Sequence, residues 1–144
     1  MPKNWQSKIT ELFKSETGEN YTENTFRILS IPEWYGNKIL IDTILYPLPE
    51  SLMGVMWSKP LLENRIRIVA LVIDKKAQNN SHGTMILNDI IEHSKSEGKT
   101  IIQLEVRKSN VKAQKFYSRH GLKIEKTLSN YYSNEDGLLM VGEL

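Results

Sequence analysis

Residues 104–121 carry a pattern of side chains that could move protons. A strand-like stretch, Leu-Glu-Val-Arg-Lys-Ser-Asn, ends at Asn110, and Tyr117 follows seven residues later. Asn110 favours a helix start because its side chain can accept a hydrogen bond from the first turn. A phenol with a pKa of about 10 stays protonated at neutral pH, so Tyr117 could donate a proton to a leaving group. The alternative is a core tyrosine whose hydroxyl contacts a backbone carbonyl.

Glu105 is the acidic residue within this strand-like stretch. Strand alternation places it on one face with Gln103 and Arg107, opposite the apolar side chains. A carboxylate in a central strand is unfavourable unless it is paired or used chemically. Glu105 is therefore either used chemically or paired with a nearby cation such as Arg107 or Lys123.

A second pattern, between residues 74 and 84, could bind an anion. An apolar stretch ending at Asp74 is followed by the small residues Ser81, Gly83 and Thr84, where a helix is predicted to begin. A helix N-terminus presents backbone N–H groups and about half a positive charge, so it can hold a diphosphate if the side chains are small. The alternative is an ordinary strand-to-helix turn that Ser81 or Thr84 caps.

Hydrophobic spacing in the first half of the chain predicts one helix followed by strands. Apolar residues at helical spacing predict a helix over residues 4–14. The apolar runs that follow predict strands separated by breaks rich in Gly, Pro and Asn. The predicted strands cover residues 25–30, 39–45, 52–57 and 65–74, with breaks at 18–24 and 32–37. The last three strands are expected to form an antiparallel meander.

The second half alternates between helices and strands. Helical spacing predicts helices over residues 84–95 and 110–120, which Gly98 and Gly121 would end. Strands are predicted over residues 100–107, 122–128 and 138–144, the last two joined by a turn at residues 134–137. This order of elements after a meander implies an α/β fold with a sheet of mixed direction.

From about residue 65 to residue 144, the chain resembles the GNAT-superfamily acetyltransferases. Within the superfamily it is most similar to the N-terminal (alpha-amino) acetyltransferases of the ribosomal-protein-alanine and Ard1-like type. The resemblance is carried by Leu-Glu-Val-Arg-x-x-Asn ending at Asn110, the position of Tyr117, and Asn-Tyr-Tyr at residues 130–132. It implies one domain over residues 1–144 with the GNAT fold. That fold has a mixed sheet of six to seven strands, a splayed parallel pair and three to four flanking helices.

The resemblance implies acetyl-CoA as the cofactor. The pantetheine arm would add to the backbone at residues 71–73 like an extra strand, and the diphosphate would bind the next turn. The family pattern at that turn is Gln/Arg-x-x-Gly-x-Gly/Ala, whereas this chain has Gln78, Ser81 and Gly83 at the three defined positions. A positive φ at Ser81 would strain the turn by about 1 kcal/mol. The implied cofactor-binding residues are Leu71, Val72, Ile73, Gln78, Asn79, Asn80, Ser81, His82, Gly83, Thr84, Asn110, Ala113 and Phe116.

The same resemblance assigns roles to the reactive side chains. Tyr117 would be the general acid that protonates the departing CoA thiolate, and Glu105 the base that acts through water. Tyr131 and Tyr132 would hold the first peptide unit of the substrate; the alternative is a pair of strand-edge aromatic residues. No metal is expected, because the three histidines at positions 82, 93 and 120 lack the spacing of a metal site.

The acceptor is expected to be an amine that attacks the thioester directly. An α-amino group, with a pKa of about 7.7–8.0, is partly neutral at pH 7, whereas a lysine near 10.4 is almost wholly charged. This difference favours the N-terminus of a peptide or protein as the acceptor. Two alternatives remain, namely acetylation of a small amine such as a polyamine or antibiotic, and a non-catalytic module that binds acyl-CoA.

Bulk composition restricts the other partners. The chain has 144 residues and a net charge of +2, which is too small to indicate nucleic acid. It has no cysteine, which excludes disulfides, thiolate zinc sites and a thiol nucleophile. The first residues lack the apolar core of a signal peptide, and the most apolar run, residues 66–73, is too short for a membrane span. The sequence therefore predicts a cytoplasmic monomer or homodimer with an amine acceptor as its partner.

Overall fold

The computed structural model describes residues 5–17, 37–79 and 81–144. Three α-helices and six β-strands occur within these ranges. In chain order they are α1 (Trp5–Thr17), β1 (Lys38–Ile41), β2 (Leu52–Leu61), β3 (Arg65–Ile73), α2 (His82–Ser96), β4 (Ile101–Arg107), α3 (Val111–Arg119), β5 (Lys123–Tyr132) and β6 (Glu135–Glu143). The strand predicted at 25–30, the breaks around it apart from Asn37, and Asn80 lie outside the described residues.

The six strands form one sheet in the order β1-β2-β3-β4-β6-β5. The pairs β1–β2, β4–β6 and β5–β6 are antiparallel and β3–β4 is parallel, which confirms the predicted mixed sheet. The parallel ladder joins Arg65–Ile68 to Ile101–Leu104, although both strands continue beyond it.

The chain divides into two compact units. The first consists of the chain up to Ser58 together with Ala70–Ile90, and the second of Lys59–Val69 together with Ile91–Leu144. None of the helices in the described ranges combines the length and the hydropathy needed to cross a membrane.

In the first unit, α1 contributes one apolar face to a core, which confirms the predicted helix. Phe13 of this helix stacks on Trp57 of β2 with the ring centroids 5.0 Å apart. Burying an aromatic side chain of this kind stabilises the fold by roughly 1.5–3 kcal/mol. The buried side chains of α1 recur at helical spacing and are Trp5, Ile9, Leu12 and Phe13.

The strand predicted over residues 39–45 is wrong beyond Ile41, where β1 ends. Asp42 starts a turn instead, because its carboxylate accepts a hydrogen bond from the backbone N–H of Ile44 at 2.9 Å. The Ile44 side chain is 90% exposed, so this apolar run does not mark a buried strand. Strand β2, in contrast, is longer than predicted and ends at Leu61.

Two glycines end helices as predicted. Gly98 has a φ of +81° and Gly121 a φ of +89°, in the left-handed region where glycine avoids a steric clash of its Cβ. After Gly121, the backbone N–H of Leu122 donates to the carbonyl of Tyr117 at 3.1 Å. Helices α2 and α3 therefore lie where the sequence predicts them.

The hairpin of the second unit has a different turn from the predicted one. Strands β5 and β6 extend further towards each other, which leaves a turn at Ser133–Asn134 instead of residues 134–137. Gly137 lies within β6, where an added Cβ would come 3.1 Å from both Tyr131 and Tyr132. This glycine allows the close approach of two aromatic side chains rather than forming the turn.

Candidate active site

The turn after β3, in the first unit, contains two residues with positive φ. Asn79 has a φ of +64° and Ser81 a φ of +63°. Ser81 therefore occupies the left-handed region, at a cost of about 1 kcal/mol for a residue with a Cβ. Its carbonyl accepts a hydrogen bond from the backbone N–H of Met85 at 3.0 Å, so helix α2 starts directly from this strained residue.

Gln78 bridges three parts of the first unit. Its side-chain nitrogen donates to the carbonyl of Ile73 at 2.7 Å and to the carboxylate of Glu16 at 2.9 Å. These bonds join the end of β3, the turn after it and the end of α1. The Ile73 carbonyl, which was predicted to lie beside the pantetheine arm, is thus engaged by Gln78.

The first turn of α2 supplies the small residues of the predicted anion site. His82, Gly83 and Thr84 are its first three residues and are partly exposed, and Ser81 before them is exposed. The first backbone N–H groups of an α-helix have no partner within the helix, so they are available to an anion. The small side chains at positions 81, 83 and 84 leave room for a diphosphate there.

Gly54 on β2 allows the end of β3 to approach closely. A Cβ at this position would lie 3.0 Å from the carbonyl oxygen of Val72 and 2.7 Å from Cδ1 of Ile73. Val72 is buried, whereas Leu71 and Ile73 are partly exposed. Gly54 was not among the predicted site residues, because a glycine within an apolar strand does not reveal which neighbour approaches it.

In the second unit, Asn110 caps α3 as predicted. Its Oδ1 accepts a hydrogen bond from the backbone N–H of Ala113 at 3.1 Å. This bond uses the amide oxygen, and the two N–H donors of the same amide take no part in it. Ala113 and Phe116 are partly exposed on α3, and the Phe116 ring packs edge-on against Tyr117 at 5.1 Å.

Tyr117 is the most buried of the predicted site residues in this unit, with 7% of its surface exposed. Burial raises the pKa of its phenol above the usual value, so the group stays protonated throughout the neutral range. Its hydroxyl makes no hydrogen bond to any residue that the structure describes. This differs from the alternative interpretation, in which the hydroxyl contacts a backbone carbonyl.

Glu105 forms an ion pair, but its partner is not one of those suggested from the sequence. Its Oε2 accepts a hydrogen bond from Nε of Arg67 on β3 at 2.9 Å, rather than from Arg107 or Lys123. Only 14% of the Glu105 side chain and 24% of the Arg67 side chain are exposed. Burial alone would lower the pKa of Arg67, but the hydrogen bond and charge of Glu105 raise it above its usual value. Arg67 therefore keeps its positive charge at neutral pH.

Tyr131 and Tyr132 lie where the ladder between β5 and β6 is interrupted. The register shifts between Leu128 and Tyr132, and Asn130 has a φ of +53°. The two tyrosine rings pack edge to face with centroids 5.0 Å apart. Tyr131 is 45% exposed.

Each tyrosine of this pair contacts an arginine. Nη2 of Arg67 donates to the hydroxyl of Tyr131 at 3.4 Å. The guanidinium carbon of Arg107 lies 4.4 Å from the ring centroid of Tyr132. Contacts thus connect Glu105 to Tyr131 through Arg67, a residue that was not among the predicted site residues. The only sequence signal for Arg67 was its charge within the apolar run at residues 66–73.

Comparison with known protein families identifies the family of this chain. Residues 7–122 match the acetyltransferase (GNAT) family. The chain belongs to the GNAT family. Acetyl-CoA is the cofactor of GNAT N-acetyltransferases, which agrees with the cofactor implied by the sequence.

A curated relative of this GNAT chain is an uncharacterized N-acetyltransferase of Methanocaldococcus jannaschii. The two are 36% identical over 76 residues, which cover 51% of this chain and 49% of the relative. The chain thus spans about half the length of the curated relative that it matches.

Two solved structures resemble the GNAT chain along its whole length. Ard1 from Thermoplasma volcanium has a TM-score of 0.83 at 22% identity, covering 100% of this chain and 93% of its own. Arabidopsis thaliana Naa50, in complex with the bisubstrate analogue CoA-Ac-MVNAL, has a TM-score of 0.77 at 18% identity, covering 100% and 95%. At these identities the likeness establishes the GNAT fold.

Proposed function

We propose that this GNAT chain transfers the acetyl group of acetyl-CoA to the α-amino group of a peptide or protein N-terminus. The observation that carries the proposal is the series of contacts from Glu105 through Arg67 to Tyr131. It places the carboxylate of Glu105, the guanidinium of Arg67 and the partly exposed Tyr131 side by side in the second unit. Such a set offers a proton acceptor and hydrogen-bonding groups for a peptide. The Naa50 complex, whose ligand joins CoA to the peptide MVNAL, supports a peptide acceptor.

The cofactor-binding residues follow from the chemistry of each segment. Backbone N–H groups at Ser81, Gly83 and Thr84 would hold the diphosphate, because these residues lie at the start of α2 and have small side chains. In the first unit, the backbone of Leu71 and Val72 would pair with the pantetheine amides. In the second unit, the amide N–H groups of Asn110 would be donors to the cofactor. When bound, acetyl-CoA supplies an acetyl group that is activated as a thioester.

Tyr131 and Tyr132 would hold the first peptide unit of the acceptor. The exposed hydroxyl of Tyr131 can donate to a peptide carbonyl, and the ring of Tyr132 offers an apolar surface beside it. This placement would leave the acceptor amine within reach of Glu105, through a water molecule.

Proton transfer requires one group that takes a proton and one that supplies it. The Glu105 carboxylate would receive the proton that the amine loses as its nitrogen bonds to the acetyl carbon. An α-amine is already partly neutral at pH 7, so one weak base is sufficient. Tyr117 would donate a hydrogen bond, and then its proton, to the sulfur as the carbon–sulfur bond breaks.

The test is thiol release from acetyl-CoA with three matched acceptors. The first is a short peptide with a free N-terminus, the second the same peptide with a blocked N-terminus and an internal lysine, and the third spermidine. We expect turnover with the first acceptor and at least tenfold less with the other two. Preferential turnover of spermidine would assign the chain to small amines. Tight binding of acetyl-CoA without release from any acceptor would assign it to acyl-CoA binding alone.

A further inference from the structure

The backbone ladder holds Tyr132 level with Glu135, but it does not by itself fix the position of Tyr131. The register between β5 and β6 shifts between Leu128 and Tyr132, and Asn130 has a left-handed backbone. The backbone N–H of Asn130 donates to the carboxylate of Asp136 at 2.8 Å, which closes this irregular segment without contacting the rings. Where a ladder is interrupted in this way, side-chain contacts must determine where the side chains point.

Arg67 supplies one of these contacts. Its Nε is held by Glu105 at 2.9 Å, and the pair is mostly buried. Because Glu105 fixes the Nε edge of the guanidinium, Nη2 is directed at the hydroxyl of Tyr131, 3.4 Å away. A planar guanidinium held on one edge can orient a second partner with little further loss of side-chain freedom. Arg67 therefore ties the position of Tyr131 to that of Glu105.

Arg107 supplies the other contact. Its guanidinium lies 4.4 Å from the ring centroid of Tyr132, within the range of a cation–π interaction. Nη1 donates to Oδ1 of Asn134 in the turn at 2.9 Å and lies 4.0 Å from the carboxylate of Glu135. Its Nε is buried and has no hydrogen-bond partner among the described residues. The turn and the ring therefore hold this guanidinium.

We infer that Arg67 and Arg107 are positioning residues that hold Tyr131 and Tyr132 in the geometry needed to bind the acceptor. The inference rests on the proposed function, because it takes the tyrosine pair as the acceptor-binding element. Each arginine acts on a different ring and from a different strand, so each can be tested separately.

Arg65 provides a matched control. It projects from β3 two residues before Arg67 and donates from Nη1 to Oε1 of Gln103 at 2.7 Å. Arg65→Met and Arg67→Met therefore remove the same charge from the same strand. Only the second substitution removes a contact to a tyrosine.

The first measurement is the KM for the peptide acceptor and for acetyl-CoA in each variant. For Arg67→Met and Arg107→Met we expect the acceptor KM to rise about tenfold, with the KM for acetyl-CoA within twofold of the wild type. Arg65→Met should leave both within twofold. An equal rise for Arg65→Met, or no rise for the other two variants, would overturn the inference. Where a methionine variant does not fold, the lysine variant replaces it, and Arg107→Lys should regain most of the lost affinity by keeping a cation over the ring.

A double-mutant cycle separates positioning from a general effect of charge. If Arg67 acts through the Tyr131 hydroxyl, Arg67→Met should raise the acceptor KM less than threefold in a Tyr131→Phe background. The corresponding cycle pairs Arg107→Met with Tyr132→Leu. Additive effects in both cycles would show that the arginines do not act through the tyrosines.

A measurement without substrate distinguishes failure of the inference from failure of the proposed function. The protein is labelled with 3-fluorotyrosine, and the ¹⁹F resonances of Tyr131 and Tyr132 are assigned with the Tyr131→Phe and Tyr132→Phe variants. Arg67→Met should shift or broaden the first resonance and Arg107→Met the second, whereas Arg65→Met should move neither. Shifts in a protein that acetylates no peptide would uphold the positioning of the rings but refute the acceptor role. Unchanged resonances would overturn the positioning itself.

Discussion

Tyr117 combines burial with a hydroxyl that bonds to none of the described residues. Burial raises the pKa of its phenol, which makes it a weaker acid than tyrosine in water. A weaker acid keeps its proton throughout the neutral range, so the hydroxyl is present as a hydrogen-bond donor when a thiolate forms beside it. The hydroxyl is therefore suited to donating a hydrogen bond as the carbon–sulfur bond breaks.

This environment makes Tyr117→Phe an informative substitution. The phenylalanine ring preserves the packing against Phe116 and removes only the hydroxyl. We expect turnover to fall at least tenfold, equivalent to about 1.4 kcal/mol of transition-state stabilisation, with the affinity for CoA nearly unchanged. Thiol-release kinetics and a CoA titration would measure the two quantities. Unchanged turnover would remove Tyr117 from its role as the acid.

Two of the four non-glycine residues with positive φ in the described part of the chain lie next to the candidate diphosphate site. Asn79 and Ser81 both adopt positive φ, and asparagine tolerates this region better than serine does. A strained residue persists only where the surrounding structure determines its conformation, and such residues cluster at functional sites. The strain at Ser81 is thus consistent with a turn that keeps the first N–H groups of α2 directed at a ligand.

At the scale of elements, α3 depends on a residue with two potential functions. Asn110 caps the helix through its Oδ1, and the N–H groups of the same amide remain for the pantetheine arm. Losing the cap would cost about 1 kcal/mol of stability. Losing the N–H groups would lower only the affinity for the cofactor.

Two substitutions of Asn110 separate these functions. Asn110→Asp keeps an oxygen that accepts from Ala113, so stability should change little while the affinity for acetyl-CoA falls several-fold. Asn110→Ala should lose both the cap and the affinity. Urea unfolding and calorimetric titration would measure the two effects. An aspartate variant that binds acetyl-CoA like the wild type would restrict Asn110 to its role as a cap.

The sequence pattern correctly predicted those elements in which the hydrophobic spacing and the capping residues indicate the same boundaries. The helix carrying Tyr117 has a capping asparagine before it and a glycine after it, and both take the expected conformations. The apolar run at residues 39–45 gave a wrong strand end, because periodicity cannot distinguish a strand from an apolar turn that starts with an aspartate side-chain hydrogen bond. Gly137 likewise suggested a turn, although its actual role depends on two rings nearby in space.

The role of Arg67 could not be predicted for a related reason. Its partner depends on the register of the parallel strands β3 and β4. In that register Arg67 is paired with Gln103, and its side chain reaches Glu105, two residues further along β4. No local pattern encodes that register. The strand pattern predicted that Glu105 could form an ion pair, but the identity of the partner required the tertiary structure.

At the scale of the whole molecule, we expect Asp74 to contribute to stability against acid. Its carboxylate accepts hydrogen bonds from the backbone N–H of Lys76 at 3.0 Å and from Nζ of Lys8 at 3.3 Å. Burial alone would raise the pKa of Asp74, but these two interactions lower it below the usual value. The carboxylate thus ties α1 to the segment that leads into the candidate diphosphate turn.

The direction of this shift determines the pH dependence of unfolding. A carboxylate whose folded-state pKa is depressed stabilises the protein fully above its unfolded pKa of about 3.9. That stabilisation is lost as the pH falls through the lower, folded-state value. Because the ion pair with Lys8 is partly exposed, its contribution is about 0.2–1 kcal/mol.

Asp74→Asn tests this linkage in the intact chain. The asparagine oxygen can still accept from Lys76, so the variant loses the charge and keeps the turn. We expect the free energy of unfolding to be lower than that of the wild type above about pH 5, and the two curves to converge at lower pH. Lys8→Met serves as the control, because it removes the cation, retains the carboxylate, and should keep part of the pH dependence through Lys76. A constant difference between wild type and Asp74→Asn across the acid range, measured by urea unfolding, would show that the charge of Asp74 does not stabilise the fold.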